Sequence, residues 1–207
     1  MTTVKTRPYR STIRRGDAPR LVCEAALRLF STQGYLATSI EDIAREAGVA
    51  RPTVFTAVGP KPVILKTVFD RAIAGDDEPV PVAERSWWQE AVEEPDPARS
   101  IALHARNMVR ITGRTGRLAR AVEAAAQVDD DARQVFAAWQ QQRREGMAMF
   151  VRSLATKAEL RVDEATATDT LWTLSPDAYV RLVHDGGWDV DRYEAWLRDL
   201  MQRLFLA

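Results

Sequence analysis

The stretch from Thr38 to Pro60 constrains the fold more than any other part of this chain. Ile40, Ile43, Ala44 and Ala47 recur at helical spacing, and Gly48 interrupts them. Ala50-Arg51-Pro52-Thr53 then restarts the pattern. Proline lacks a backbone N–H and is tolerated only in a helix's first turn, so Pro52 opens a second short helix running to about Val58. Gly59-Pro60 ends it. Thr38 followed three residues later by Glu41 is the pattern of a capping box at the first helix. Two short helices joined by a tight, glycine-containing turn form a helix-turn-helix.

The rest of the chain reads as helix too. Asp17 is placed to cap a helix with Pro19 in its first turn and Leu21, Val22, Ala25, Ala26, Leu29 and Phe30 on its apolar face, stopped by Gly34. A further helix begins near Lys61. Residues 75–82, GDDEPVPV, read as an acidic linker. Beyond it Trp87 and Trp88 lie in a short segment closed by Pro95-Asp96-Pro97. Ile101, Ala105, Met108 and Thr112 predict a helix ending near Gly113, and Leu118, Val122 and Ala125 predict another. A long helix spans about Asp130 to Ala155, Asp163 caps the next, and Ser175-Pro176 restarts the chain until Gly186-Gly187. Asp189 opens the last, with Tyr193, Trp196, Leu197, Leu200, Leu204 and Phe205 inward. No alternating strand pattern appears, so the expected class is all-α.

Charge narrows the function. The chain is neutral overall, yet residues 1–61 hold ten Lys/Arg against five Asp/Glu, and the excess reverses in the rest. An anion-facing N-terminal part is implied. A single cysteine, Cys23, excludes an intramolecular disulfide framework and a cysteine-built zinc site. No apolar run spans a bilayer, so no membrane partner is expected, and the expected location is cytoplasmic. Neither a phosphate-cradling glycine loop nor an HExxH or Gly-x-Ser-x-Gly pattern occurs. The expectation is a protein that is not an enzyme and needs no cofactor or metal.

The segment AALRLFSTQGYLATSIEDIAREAGVARPTVFTAVGPKPVIL resembles the DNA-binding domain of the TetR family of transcriptional regulators. The resemblance implies an N-terminal three-helix helix-turn-helix domain followed by a larger helical ligand-binding and dimerisation domain. We therefore expect a flexible basic arm over 1–16, the DNA-binding domain over 17–62, and an effector-binding and dimerisation domain over 63–207. It also implies roles. Thr53 aligns with a phosphate-contacting threonine, Lys61 with a basic residue that meets phosphate, and Arg51 and Thr56 with base readers. Phe55 stands where the family usually has tyrosine, so that hydroxyl contact is lost. An arginine can donate two hydrogen bonds to a guanine edge, and Pro52 can touch a thymine methyl. The DNA-contacting set is thus Thr38, Arg51, Pro52, Thr53, Phe55, Thr56 and Lys61, with Arg14 and Arg15 of the arm. Arg114, Arg117 and Arg120 read as a solvated face.

The expected activity is that of a sequence-specific regulator, a repressor released from a palindromic double-stranded DNA operator by a small-molecule effector. Dimerisation gives such a reader operator symmetry. Tyr179, Leu182 and Val183, with Trp196, Leu197, Leu200 and Leu204, are the residues expected to pair two copies as a four-helix bundle, although the same residues would also serve to close the chain's own core. The effector set is His104, Met108, Trp139, Gln142, Arg143, Met147 and Trp172, a mostly apolar lining with a few polar groups. Arg143 on that face would favour an acidic ligand. Two other readings stand beside this one: a DNA-binding regulator with no small-molecule effector, and an all-α carrier or enzyme whose helix-turn-helix is structural.

Overall fold

The computed structural model describes residues 16–78, 80–174 and 176–207. Among them the fold is all-α, and the only pairing of extended backbone is one isolated antiparallel bridge, Leu160 with Leu206. The chain divides into two compact units at Val68 and Phe69, inside a helix.

The first unit contains α1 (Ala18–Thr32), α2 (Ile40–Ala47), α3 (Arg51–Ala57) and the start of α4 (Lys61–Ala74). Its core is Val22, Cys23, Ala25, Ala26, Phe30, Tyr35, Ile43, Ala44, Val54, Ile64 and Leu65. The turn between α2 and α3 depends on Gly48, whose φ of 68° is the left-handed region that glycine enters without steric cost. Two capping expectations need correction. The box at α2 is formed one residue later than the sequence suggested: Ser39 Oγ accepts from Asp42 N at 3.1 Å, and Asp42 Oδ2 accepts from Ser39 N at 3.0 Å. Thr38 is instead buried, its hydroxyl donating to Gly34 O at 2.8 Å. Asp17 occupies the N-cap of α1 but makes no side-chain capping bond, because its backbone is already helical.

The second unit comprises the end of α4, then α5 (Ser86–Glu93), α6 (Pro97–Ala126), α7 (Asp130–Ala155), α8 (Glu164–Leu174), α9 (Asp177–Tyr179, continued by a π-helical turn over Val180–Asp185) and α10 (Val190–Phe205). Asp96, Asp129 and Asp189 each accept a backbone N–H at the start of α6, α7 and α10. The two helices expected around Gly113 are a single helix of 30 residues. Glycine inside a helix costs about 1 kcal/mol relative to alanine, which is why the sequence signalled a stop. The reason for it is tertiary. A Cβ on Gly113 would lie 3.2 Å from Tyr179 Oη, and one on Gly116 only 2.9 Å from Val180 Cγ2. The two glycines are the places where the α9 segment closes on α6.

Candidate functional site

In the first unit, α3 is anchored by one fully buried side chain, Val54. This turns Arg51, Pro52, Phe55 and Thr56 to the exposed side, with Thr53 half-buried beside them. The Arg51 guanidinium lies 5.2 Å from the Phe55 ring centroid and pairs with Glu41 of α2. Thr56 Oγ1 lies 3.2 Å from the carbonyls of both Pro52 and Thr53, so its hydroxyl faces its own helix. Lys61, at the first turn of α4, sits 4.0 Å above the Tyr35 ring. Thr38 is not brought to this exposed face, as its hydroxyl is spent on Gly34. Arg14 and Arg15 lie outside the described residues. By sequence alone Glu41 had only a capping role and Tyr35 none, yet their side chains steady Arg51 and Lys61. The Glu41–Arg51 pair follows from how α2 and α3 pack, and local patterning carries no sign of it.

In the second unit the effector residues fall into two groups. Trp139 is buried against Phe69 and Phe136, with ring centroids 5.0 and 5.6 Å away. Arg143, one turn on, lies 5.0 Å from the Trp139 ring, donates to Trp172 O at 2.8 Å and bonds Gln140 Oε1. Burial lowers its pKa to about 10, with Asp177 acting in the opposite sense. Gln142 is exposed and does not join this group, whereas Met147 is half-buried against the core. A Cβ at Gly146 would meet nothing within 4 Å.

The other group centres on His104 of α6, which is 2% exposed and stacked on Phe150 at 3.7 Å between ring centroids, with the edge of Trp88 at 6.0 Å. Met108 is buried one turn along the same helix. Among the described residues neither His104 nitrogen has a hydrogen-bond partner, and the same holds for Trp139 Nε1, Trp172 Nε1 and Tyr193 Oη. Burial depresses the His104 pKa to about 3, so the ring is neutral. A buried polar atom left unpaired costs about 1–3 kcal/mol, and this set offers mostly donors to whatever satisfies it.

The residues expected to pair two copies also separate. Tyr179 and Leu197 are buried in the chain's own core, with Tyr193, Met201 and Phe205. Leu182, Val183, Trp196 and Leu200 are half-buried, and Leu204 is 39% exposed. Helix α10 thus carries two apolar stripes, one facing inward at 193, 197, 201 and 205 and one at 196, 200 and 204 that its own unit leaves partly open. His184, read as surface, is half-buried with its ring edge-on to Tyr179 at 5.4 Å. Of the three arginines read as a solvated face, Arg114 reaches across to cap α4, and Arg120 pairs with Asp185 at 3.0 Å.

A short helix with an exposed face on a small helical unit, followed by a larger helical unit, is an arrangement that DNA-binding transcriptional regulators share. Comparison with known proteins agrees. Residues 22–57 match the family described as bacterial regulatory proteins, tetR family. The match spans most of α1 and all of α2 and α3. Over 50 residues it is 40% identical to a Mycobacterium tuberculosis protein provisionally named as a transcriptional regulator of mycofactocin biosynthesis. That match covers 23% of this chain and 25% of the relative, so the chain spans about a quarter of that relative's length.

Solved structures share the fold over nearly the whole chain. A TetR-family regulator from Syntrophomonas wolfei superposes with a TM-score of 0.72 at 14% identity, covering 92% of this chain and 96% of its own. A regulator from Saccharomonospora viridis in complex with choline gives 0.68 at 18% identity, covering 92% and 98%. A SmeT–triclosan complex gives 0.68 at 16%, covering 92% of each chain. At these identities the likeness is one of fold. No helix among the described residues is long and apolar enough to cross a membrane.

Proposed function

We propose that the chain works as a homodimer that binds a palindromic operator through residues 17–62 and is released from it when residues 63–207 take up a small molecule, making it a repressor. The observation that carries the DNA half is the outward face of α3, where Arg51, Pro52, Phe55 and Thr56 stand free of the core around the single anchor Val54. Side chains placed in this way reach base edges when the second helix of a helix-turn-helix enters a major groove. The N-terminal arginines would add phosphate or minor-groove contacts.

The second apolar stripe of α10 supports dimerisation, since a row of half-open Trp196, Leu200 and Leu204 gains most by packing on its own symmetry mate. The unpaired buried donors support a ligand. Two structural neighbours solved with small molecules, choline and triclosan, point the same way. A ligand shifts the equilibrium only by its difference in affinity between the DNA-bound and released forms. Because Arg143 is already engaged with Trp172 O and Gln140, the polar contacts for a ligand fall chiefly to His104 and the two indole N–H groups. The preferred effector is therefore an apolar molecule carrying hydrogen-bond acceptors. A carboxylate at Arg143 would have to displace those existing bonds.

The test is a gel shift with genomic fragments flanking the chain's own gene, followed by titration with a panel of apolar compounds. Retarded bands that a compound releases are the expected result. Binding of no fragment removes the operator model, and binding that no compound relieves leaves a regulator without an effector.

A further inference from the structure

The end of α4, the connection to α5 and the middle of α6 enclose a cleft of about 440 Å³ that contains none of the effector residues named above. Its lining is dominated by charge, with Arg85, Arg110 and Arg114 facing Asp76, Glu78 and Glu84. The arginines differ in how they are satisfied. Arg85 is 7% exposed and forms a closed pair with Asp76, its two Nη atoms lying 2.6 and 3.0 Å from the two carboxylate oxygens. Its remaining donors bond Val80 O and Glu78 O at 3.1 Å. That pair is neutral and complete.

Arg114 and Arg110 are not. Arg114 donates from Nε to Ala72 O at 2.6 Å and from Nη2 to Ile73 O at 2.9 Å. It thereby closes the last carbonyls of α4, and among the described residues it meets no carboxylate. Arg110, one turn away on the same face of α6, has neither an ion pair nor a hydrogen bond among the described residues. Two guanidinium groups one helical turn apart repel each other. Burial first, and then this neighbour, hold Arg114 below the usual arginine range, while Asp76 offsets part of the effect. Glu78 and Glu84 are exposed, and among the described residues neither carboxylate pairs with Arg110 or Arg114. On the inner wall Asn107, 6% exposed, donates from Nδ2 to Trp87 O at 2.8 Å. That bond fixes the amide and leaves Oδ1 as an acceptor for a ligand hydroxyl or N–H.

We propose that this cleft is a second ligand site, taking a small polar molecule through a carboxylate or phosphate group held by Arg110 and the outer N–H groups of Arg114. An anion there supplies the counter-charge that the two arginines lack, and guanidinium groups bind planar or tetrahedral oxyanions bidentately. The site is charged and open, so its ligand differs in class from the apolar effector of the bundle interior. It is also independent of operator binding, whose failure would leave it standing.

Isothermal titration of the full chain with citrate and with inorganic phosphate, against sodium chloride at equal ionic strength, tests this. Saturable binding of one copy per chain is expected, and the tighter of the two anions identifies the group. Arg110→Gln should weaken it by at least about tenfold, and Arg110→Glu should abolish it. Arg110 is exposed and makes no hydrogen bond or ion pair among the described residues, so both variants should keep the wild-type melting temperature within a degree or two. The Trp87 indole N–H resonance, assigned with Trp87→Phe, should move during the titration. Absence of saturable binding beyond chloride overturns the proposal. So does an affinity unchanged in Arg110→Gln, because the anion would then sit elsewhere, for example on the basic face of α3.

Discussion

Histidine 104 makes stability depend on pH in a way that can be calculated in advance. In the folded chain its pKa is held at about 3 by burial alone. In the unfolded chain it returns to the ordinary value of about 6.5. Below pH 6.5 the unfolded state binds a proton that the folded state refuses, so stability is full above about pH 7 and is lost as pH falls towards 3. Between pH 7 and pH 5 the linkage relation gives a loss of about 2 kcal/mol from this one group. With a urea m-value of about 3 kcal/mol/M, the unfolding midpoint should fall by roughly 0.7 M. His184 and the carboxylates also titrate, so the quantity to measure is a difference. Urea unfolding of wild type and His104→Phe at both pH values, at fixed protein concentration and without effector, isolates it. Phenylalanine keeps the stack on Phe150 and removes both unpaired nitrogens. The variant should lack the extra 2 kcal/mol of acid sensitivity. Equal pH dependence in the two proteins would mean that His104 is solvated or partnered, and the account of a dry, donor-rich interior would fall with it.

The remaining predictions concern the helices. Arg51→Ala should cost about 1–3 kcal/mol per half-site and relax the preference at one base position, measured by binding to single-base operator variants. Lys61→Ala should weaken all sequences alike and lower the salt slope by about one per subunit. Leu200→Asp should give monomers or aggregates in sedimentation, with operator binding lost, because it puts a charge into the proposed bundle. Gly116→Ala should destabilise by about 1–3 kcal/mol through its contact with Val180. Gly146→Ala, with open space around it, should stabilise by about 0.5–1 kcal/mol, both glycine variants being measured by urea unfolding.

The local features were legible in the sequence, and the features made by distant contacts were not. Gly48, Pro52 and the apolar spacing of α2 and α3 act within a few residues of themselves, so the helix-turn-helix could be read directly. The capping box was misplaced by one residue because Thr38 and Ser39 both suit the role, and only the burial of Thr38 decides between them. Gly113 looked like a stop because its partner, Tyr179, lies more than sixty residues away along the chain. Arg114 looked solvated for the same reason, since the carbonyls it caps belong to α4. On α7, helical phasing could not separate Gln142 from Arg143. The structure turns the first outward and seats the second over Trp139. On α10 the sequence merged two stripes into one. Tyr193 and Leu197 face the core, while Trp196 and Leu200 are half-buried and Leu204 is exposed.

The most direct test of the central claim is selection of bound duplexes from a random DNA library, followed by sequencing. A dimer presenting two α3 helices should enrich an inverted repeat whose half-site centres are about one helical turn, or 10–10.5 base pairs, apart, or a multiple of that. Arg51→Ala should lose information at one symmetric pair of positions. Enrichment of no motif, or of a single unrepeated half-site, would contradict the account.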